Sequence, residues 1–246
     1  MKKFFCFAHR GASGHEPENT LLAIEKAIAL GADWMEIDVY AVEGRLVVIH
    51  DDRLERTTNG AGYVVEKTFA YLRSLDAGKG QKIPTLQEVT DLVDRRTGVN
   101  VELKGRDTAA LTISHIERCI KDQGWDQEQF IVSSFSHGEL ETARNLAPHL
   151  KVGVIIGGMH RSYARFIRQH AVYSLHARMD LVNEDFIQRA HRRGLKIFVY
   201  TVNDPLDMAR LKEMGADGIF TDFPERIFTI SPSQAGAIEA HHDAGR

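Results

Sequence analysis

Short apolar segments alternate with longer amphipathic segments along most of the chain. The short segments are rich in β-branched and aromatic residues, which is typical of buried strands. We predict eight of these segments as strands: residues 4–8, 34–39, 98–103, 130–134, 151–156, 173–176, 196–201 and 218–221. The longer segments place apolar residues at helical spacing. We predict them as helices: residues 20–30, 86–95, 109–121, 138–146, 161–169, 184–192 and 205–214.

Repeated strand and helix units of this kind predict a TIM (β/α)₈ barrel, whose functional groups lie at the C-terminal ends of the strands. The alternative is an open doubly wound sheet. That fold usually carries a glycine-rich dinucleotide loop after its first strand, whereas this strand leads into His9-Arg10-Gly11. We therefore favour the barrel.

One interval interrupts the regular alternation. An extra apolar run covers residues 45–50, and a polar stretch continues through residue 83 before the next helix. We predict a single barrel domain over residues 1–230, with a short insertion at about 53–83 after the second strand. Residues 231–246 form a small, polar segment, which we predict to be a surface tail. We predict no metal site at His241 and His242 in that tail, because two adjacent side chains rarely supply a complete ligand set.

Composition excludes several classes of protein. The chain has 246 residues and a formal charge of −3, which argues against a nucleic-acid partner. No stretch approaches the roughly 20 apolar residues of a membrane-spanning helix, and His9 and Arg10 interrupt the N-terminal apolar run before it reaches signal length. The two cysteines, Cys6 and Cys119, form neither a disulfide framework nor a metal cluster. We expect a cytoplasmic protein without stable membrane association.

Charged residues accumulate where two predicted strands end. Glu36 and Asp38 are two positions apart, as are Glu102 and Lys104, and alternate strand residues point to the same side. Simple salt bridges explain Lys104 with any one carboxylate. They explain the whole set less well, because carboxylates crowded near an apolar interior repel each other and call for a cation. We predict one divalent cation on Glu36, Asp38 and Glu102, with oxygen ligands favouring Mg²⁺ or Ca²⁺ over zinc.

Two histidines accompany these carboxylates. His9 ends the first predicted strand and His50 ends the extra apolar run, and histidine titrates near neutral pH as acid and base catalysis requires. Arg10 and Lys104 are candidates for binding an anionic group. His176 closes the sixth predicted strand, where chemistry at the rim and simple packing are equally open. The combination suits metal-assisted chemistry on a phosphate ester.

A set of short motifs then resembles the glycerophosphodiester phosphodiesterase family in order and spacing, up to about Phe223. The motifs are His9-Arg10-Gly11, Pro17-Glu18-Asn19-Thr20, Glu36-Ile37-Asp38, His50-Asp51, Arg56-Thr57-Thr58-Asn59-Gly60, Pro84-Thr85-Leu86, Glu102-Leu103-Lys104, Ser134-Phe135, Tyr200-Thr201-Val202-Asn203 and Thr221-Asp222.

The resemblance implies a TIM barrel with an insertion after the second strand, a divalent cation, and hydrolysis of glycerophosphodiesters to glycerol 3-phosphate and an alcohol. The short insertion resembles that of compact cytoplasmic bacterial members. By motif position, the implied roles are metal ligands for Glu36, Asp38 and Glu102, an acid/base pair for His9 and His50, phosphate contacts for Arg10 and Lys104, and pocket walls for Phe135 and Tyr200.

Two other functions compete with this one. A phospholipase C- or D-like enzyme on a related barrel works at membranes and should expose an apolar or basic surface. A non-catalytic barrel that binds a phosphorylated ligand should lack a histidine or a carboxylate of the set, and none is missing. The sequence leaves open the alcohol released, the metal, the oligomeric state, which histidine is the acid, and whether water or the glycerol 2-hydroxyl is the nucleophile.

Overall fold

The computed structural model describes residues 3–158 and 161–230. Within these residues the strands are β1 (Phe5–His9), β2 (Trp34–Val42), β3 (Arg45–Val48), β4 (Gly98–Leu103), β5 (Phe130–Ser134), β6 (Lys151–Ile156), β7 (Ser174–Arg178), β8 (Lys196–Tyr200) and β9 (Gly218–Thr221). The helices are α1 (Leu21–Ala29), α2 (Phe69–Ser74), α3 (Leu86–Val93), α4 (Thr108–Gln123), α5 (His137–Leu146), α6 (Arg161–Gln169), α7 (Glu184–His191) and α8 (Pro205–Glu213). The predicted tail, with His241 and His242, lies outside the described residues.

Eight of these strands form a closed parallel barrel. Strand β1 pairs with β9 on one side and with β2 on the other, so the sheet has no free edge there. Strand β3 pairs antiparallel with the last residues of β2, from Val39 with Val48 to Val42 with Arg45. The predicted TIM barrel is therefore confirmed, and the extra apolar run at residues 45–50 is a hairpin strand outside the barrel.

Two kinds of packing hold this barrel together. Outside, Thr20 and Thr85 cap the N-termini of α1 and α3, and the apolar faces of the helices bury against the strands. Inside, aromatic side chains from several strands fill the barrel, Phe7 contacting both Trp34 and Phe198. Burial of each large apolar side chain contributes roughly 1.5–3 kcal/mol.

The inward-facing positions change from apolar to polar toward the C-terminal ends of the strands. On β1, Phe7 is followed two residues later by His9, and on β2, Trp34 is followed by Glu36. Strand register places Phe7 beside Trp34 and His9 beside Glu36. An apolar layer thus closes the barrel from below, and a polar layer lies at its mouth.

The inserted segment between β3 and α3 has its own buried cluster, which includes Tyr40 of β2, Leu54, Leu72 and Ile83. It contains a 3-10 turn at Val64–Glu66 and helix α2. Sequence analysis did not predict α2, since six residues are too few to display a helical period. None of the described helices is long and apolar enough to cross a membrane.

Candidate active site

A cavity of about 210 Å³ opens at the C-terminal ends of the barrel strands, which is where TIM barrels carry their functional groups. A larger cavity of about 630 Å³ lies between α6 and α7 on the outside of the barrel and contains none of the predicted site residues. The residues that line the mouth cavity are His9, Arg10, Glu36, His50, Asn100, Glu102, Lys104, Phe135, Ile155, His176, Tyr200, Thr201 and Phe220.

Three carboxylates meet beside this cavity. Glu36 and Asp38 lie on β2, and register pairs Asp38 with Glu102 on β4. One oxygen from each of the three lies within 4.8 Å of the others. Bonds of about 2.0–2.6 Å to a single Mg²⁺ or Ca²⁺ allow ligand oxygens up to about 5 Å apart. Within the described residues the buried Oδ1 atom of Asp38 has no hydrogen-bond partner, so the residues present fit a divalent cation.

Burial makes ionisation of this cluster costly. Desolvation, reinforced by the charges of Asp38 and Glu102, raises the pKa of Glu36 well above its ordinary value. Burial and the charge of Asp38 likewise raise the pKa of Glu102 to about 7, although Lys104 acts in the opposite direction. Glu36 and Glu102 both resist ionisation, first because they are buried and second because another carboxylate is close. A bound cation would remove that cost.

Two cationic side chains face the cluster. Lys104 Nζ donates to Glu102 Oε1 at 2.8 Å and lies 3.7 Å from Asp38 Oδ1. The backbone N–H of Arg10 donates to Glu36 Oε2 at 2.8 Å, whereas its guanidinium donates to Glu18 Oε1 at 2.8 Å. A salt bridge on Lys104 is therefore present, but Arg10 and Lys104 together do not neutralise the three clustered carboxylates and Glu18.

Two residues of the β1–α1 connection shape this region. Asn19 Nδ2 donates to Asp38 Oδ2 at 2.9 Å, and Asn19 Oδ1 accepts from the backbone N–H of Asp38 at 3.3 Å. Gly11 has a φ of +79°, and a Cβ there would lie 2.7 Å from the carbonyl carbon of Ala23. Only glycine fits that turn without strain, and the turn places Arg10 beside Glu36. Sequence analysis assigned no role to Asn19.

His9 is held by a carboxylate from the last barrel strand. Its Nδ1 lies 2.7 Å from Asp222 Oδ1. Asp222 also accepts from Ser13 Oγ at 2.8 Å and from Asn203 Nδ2 at 2.7 Å. Burial opposes ionisation of Asp222, but the hydrogen bonds from His9, Asn203 and Ser13 lower its pKa to about 2. With Nδ1 engaged, Nε2 is the atom of His9 left for proton transfer.

His50 has a carboxylate of its own, from the next residue. Its Nδ1 lies 2.6 Å from Asp51 Oδ1. Arg56 donates to both oxygens of Asp51, with an Nη2 to Oδ1 distance of 2.8 Å, and these bonds lower the pKa of Asp51. Burial lowers the pKa of His50, and the charge of Lys104 acts in the same direction.

Aromatic side chains form one wall of the cavity. Phe135, which follows β5, is 45% exposed, and its ring lies edge-on to Tyr200 with 6.5 Å between centroids. The Tyr200 hydroxyl donates to the carbonyl of Ile156 at 3.0 Å. Lys104 Nζ lies 5.9 Å from the Phe135 ring centroid. The apolar wall and the phosphate-binding candidates thus face the same space.

His176 lies deeper than its predicted position at a strand end, because β7 continues two residues further, to Arg178. It is 1% exposed and its Nε2 lies 2.9 Å from Ser174 Oγ. Burial lowers its pKa to about 3. A Cβ at Gly153 would lie 2.6 Å from the same Nε2 atom, so the glycine makes room for the ring. His176 forms part of the cavity floor.

Nine of the ten predicted site residues line the cavity, and the tenth, Asp38, lies beside it in the carboxylate cluster. The structure adds residues that support them. Several belong to motifs visible in the sequence, but their contacts depend on folding. These supporting residues are Ser13, Glu18, Asn19, Asp51, Arg56, Asn203 and Asp222.

Comparison with known proteins agrees with this geometry. The sequence model of the glycerophosphoryl diester phosphodiesterase family matches residues 9–226. A glycerophosphodiester phosphodiesterase from Caldanaerobacter subterraneus subsp. tengcongensis is 38% identical over 239 residues, covering 93% of this chain and 98% of the relative. One from Bacillus subtilis is 32% identical over 248 residues, covering 91% of this chain and 85% of the relative.

Solved structures give the same result. A phosphodiesterase from Oleispira antarctica, in complex with the product sn-glycerol-3-phosphate, superposes with a TM-score of 0.83 at 30% identity, covering 92% of this chain and 96% of that one. A glycerophosphodiester phosphodiesterase from Agrobacterium tumefaciens has a TM-score of 0.78 at 27% identity, covering 93% and 100%. The family resemblance inferred from the motifs is thereby confirmed, and this chain belongs to the glycerophosphoryl diester phosphodiesterase family.

Proposed function

We propose that this protein hydrolyses glycerophosphodiesters to glycerol 3-phosphate and an alcohol. One observation carries the proposal: three carboxylates, two cationic side chains and two histidines converge at one small cavity in the barrel mouth. Such a set can bind a phosphate diester through positive charge and move protons at its ester oxygens. The relatives named above, and the product in the Oleispira antarctica structure, support this substrate class.

Glu36, Asp38 and Glu102 would hold the divalent cation, which we propose to be Mg²⁺ or Ca²⁺. Their carboxylate oxygens are the ligands that hard cations prefer, and their spacing fits one ion. When bound, the cation supplies positive charge that polarises the phosphate. Asn19 has a supporting role, because its Nδ2 donates to Asp38 Oδ2 and so orients the carboxylate, while Oδ1 accepts no hydrogen bond from the described residues.

Arg10 and Lys104 would bind the phosphate oxygens that do not take part in the ester bonds. Burial opposes the charge on Lys104, but Glu102 and Asp38 raise its pKa, so it is positive at neutral pH. The Arg10 guanidinium presents several donors in one plane. Both groups are fixed before the substrate arrives, so they stabilise charge that builds up in the transition state without reorganising.

The surroundings of the two histidines suggest opposite roles. Asp222, beside His9, has only neutral side chains, Ser13 and Asn203, as its other partners. In the described part of the chain no arginine or lysine pairs with that carboxylate, so its charge stays beside Nδ1 of His9. Asp51, beside His50, shares its charge with the Arg56 guanidinium, and burial lowers the pKa of His50. We assign His50 as the general base and His9 as the general acid.

Proton transfer then follows from these assignments. The neutral Nε2 atom of His50 accepts the proton of the nucleophile as the new oxygen–phosphorus bond forms. The protonated Nε2 atom of His9 gives its proton to the leaving alcohol oxygen as the old ester bond breaks. The carboxylates at Nδ1 keep each ring in the required tautomer.

The cavity walls set the size of the group that binds beside the phosphate. Phe135 and Tyr200 form one side and His176 lies on the floor. A volume of about 210 Å³ is below the roughly 300–1,000 Å³ of sites for drug-sized ligands. We propose that the glycerol moiety occupies this space and that the leaving alcohol faces the open mouth. Acyl chains on the glycerol hydroxyls would collide with these walls.

A direct assay tests the proposal. The purified protein is incubated with glycerophosphocholine, glycerophosphoethanolamine or a dispersed diacyl phospholipid, with and without Mg²⁺ or Ca²⁺, and glycerol 3-phosphate is measured. We expect release from both soluble diesters, dependence on a divalent cation, and poor turnover of the diacyl lipid. A higher kcat/KM for the diacyl lipid would instead indicate a phospholipase, and binding without turnover would indicate a non-catalytic barrel.

We further propose a cytoplasmic location. Cys6 and Cys119 are free and buried, and burial raises the pKa of both thiols. Unpaired thiols are usual in a reducing compartment. Cell fractionation with an antibody against the protein tests this, and recovery with the membrane or the medium would contradict it.

A further inference from the structure

The guanidinium of Arg56, on the inserted segment, joins two carboxylates. On one side it donates from Nε and Nη2 to the two oxygens of Asp51. On the other side, Nη1 and Nη2 each donate to Glu18, to Oε2 and Oε1, at 2.7 Å. Arginine is suited to this arrangement, because its planar fork of donors binds carboxylates in pairs, which a lysine ammonium cannot do.

Each of the two carboxylates supports a residue of the candidate active site. Asp51 Oδ1 lies 2.6 Å from Nδ1 of His50, and Glu18 Oε1 accepts from Nη1 of Arg10 at 2.8 Å. We propose that Arg56 is a positioning residue that holds His50 and Arg10 in their working orientations through Asp51 and Glu18. The proposal rests on the roles given above to His50 and Arg10.

His50 needs such support because of where it lies. It follows β3 in a loop, outside the hydrogen-bonded ladder of the barrel. Loop side chains are less constrained than strand side chains, so the orientation of the imidazole depends on side-chain bonds. Without Arg56, the carboxylates of Asp51 and Glu18 lose the cation that they share, and each is left with its bond to the active-site residue, which no longer fixes its position.

The backbone around Arg56 is built to hold that side chain in place. Leu54 is fully buried in the insertion's own cluster. Its carbonyl accepts from the backbone N–H of Thr58 at 3.0 Å, and Thr58 Oγ1 accepts from the N–H of Gly60 at 3.0 Å. Asn59 exchanges hydrogen bonds with Asp76. The Arg56-Thr57-Thr58-Asn59-Gly60 motif is thus a rigid turn that presents Arg56 to the two carboxylates.

Arg53 offers a matched control on the same segment. Its side chain is 50% exposed and that of Arg56 is 49% exposed, and each forms an ion pair. The partner of Arg53 is Glu55, which does not contact the candidate site. The experiment compares kcat and KM of Arg56→Ala and Arg56→Lys with those of Arg53→Ala, with glycerophosphocholine as the substrate. Circular dichroism confirms that each variant is folded.

We expect Arg56→Ala to lower kcat/KM by about 10- to 100-fold, the range found for residues that orient a functional side chain without contacting the substrate. The loss of kcat/KM should have two parts, one through Asp51 and His50 and one through Glu18 and Arg10. Asp51→Asn should mainly lower kcat, because it disturbs His50, and Glu18→Gln should mainly raise KM, because it disturbs Arg10. Arg56→Ala should do both, Arg56→Lys should retain part of the activity, and Arg53→Ala should remain within about twofold of wild type.

Two further readouts separate positioning from a general structural role. In a chain that already carries Asp51→Asn and Glu18→Gln, adding Arg56→Ala should cost less than about threefold, since residues of one network are not additive. Added guanidinium ion should restore part of the activity of Arg56→Ala and leave wild type and Arg53→Ala unchanged.

Several results would overturn the proposal. These are wild-type kcat and KM in folded Arg56→Ala, or a full multiplicative loss in the Asp51 and Glu18 background. If Arg56→Ala does not fold, wild-type constants in a folded Arg56→Lys have the same meaning. Should wild type itself release no glycerol 3-phosphate, the proposed function fails. If wild type is active and His50→Ala is inactive, Arg56 variants with wild-type kcat and KM reject the positioning role of Arg56 and leave the proposed function intact.

Discussion

The two histidines at the barrel mouth are held by different parts of the molecule. His9 ends strand β1, and its partner Asp222 directly follows β9, the strand that pairs with β1. His50 lies in the loop after β3, and its partner Asp51 is fixed by Arg56 from the inserted segment. Both rings present Nδ1 to a carboxylate, at 2.7 Å and 2.6 Å.

This difference in support brings a difference in electrostatics. A residue next to a strand end is positioned by the barrel. Asp222 therefore needs only neutral side chains as further partners, and these do not offset its negative charge. A residue in a loop needs additional bonds, and here they come from a charged guanidinium that offsets the charge of Asp51. The same pair of residue types therefore has a carboxylate paired with an arginine beside His50 and a carboxylate with neutral further partners beside His9.

Loss of the strand-borne carboxylates Glu36, Asp38 and Glu102 should have the largest effect, because both histidines would act on the phosphate that the proposed cation polarises. We expect Asp38→Asn to lower kcat/KM by about 10³ or more, since the several kcal/mol supplied by a bound cation correspond to at least three powers of ten. Chelation with EDTA should abolish activity, and Mg²⁺ or Ca²⁺ should restore it. Asp52→Asn, on the exposed loop nearby, is the control. Full activity of Asp38→Asn in EDTA would reject the metal site.

Replacing each histidine in turn should distinguish the proposed general acid from the proposed general base. His9→Ala and His50→Ala should each lower turnover of glycerophosphocholine by roughly 10² or more. On a glycerophosphodiester with a p-nitrophenol leaving group, His9→Ala should regain most of the loss, because that group departs without a proton. His50→Ala should not recover.

The matched control is His15→Ala, which removes an exposed histidine paired with Glu225. It should leave both substrates unaffected. Recovery of His50→Ala in place of His9→Ala would reverse the assigned acid and base.

A smaller change should come from the neutral partner of Asp222. Asn203 donates to Asp222 Oδ2 at 2.7 Å, and Asn203→Ala should lower kcat by about tenfold, at the lower limit for residues that orient an active group. The acidic partner remains, so His9 keeps its bond to Asp222, but the orientation of that carboxylate is less well fixed. Unchanged kcat in the folded variant would show that Asp222 is positioned without Asn203, by the strand end and Ser13.

The smallest effect should appear in stability rather than activity. In metal-free protein the folded-state pKa of Glu102, about 7, lies above its ordinary value, so ionisation opposes folding. The contribution of Glu102 to the free energy of unfolding is fully present below pH 4.5, where the carboxyl is protonated in both states. It is lost as the pH rises from 4.5 to about 7. We expect a melting temperature several degrees higher at pH 5.5 than at pH 8. The change in the free energy of unfolding is about 2 kcal/mol, and each kcal/mol shifts Tm by about 2–4 °C.

Two additions sharpen that measurement. Mg²⁺ should raise Tm more at pH 8 than at pH 5.5, because the ion replaces protons in the cluster. Glu36→Gln should reduce the pH dependence, since it removes a second carboxyl whose pKa is raised by burial. A pH dependence that Glu36→Gln and Glu102→Gln both leave intact would place its origin outside the cluster.

Sequence patterns predicted the barrel well because its strands are uniformly apolar and bounded by turns. They also predicted the carboxylate cluster, since a period of two is enough to align Glu36 with Asp38. They could not predict the partners of the histidines. Asp222 lies at the opposite end of the chain from His9, and only closure of the barrel brings the two strands together.

The position of His176 shows a second limit. A strand boundary misplaced by two residues moves a side chain from the rim to the interior. The aromatic rings that surround His176, from Phe7, Phe198 and Phe220, come from three other strands. Helix α2 was missed for a related reason, because it is stabilised by the insertion's cluster rather than by its own six residues.

The two ends of the inserted segment meet. The backbone N–H of Val48 donates to the carbonyl of Pro84 at 2.8 Å, and Val47 forms a bridge with Thr85. A segment whose ends are already joined can be exchanged for another without displacing the barrel, and doubling its length would cost only about 0.6 kcal/mol in loop entropy. The barrel is therefore a natural host for grafted loops. A graft that supplies one arginine opposite Asp51 and Glu18 would test whether new alcohol specificity can be built above an unchanged phosphate site.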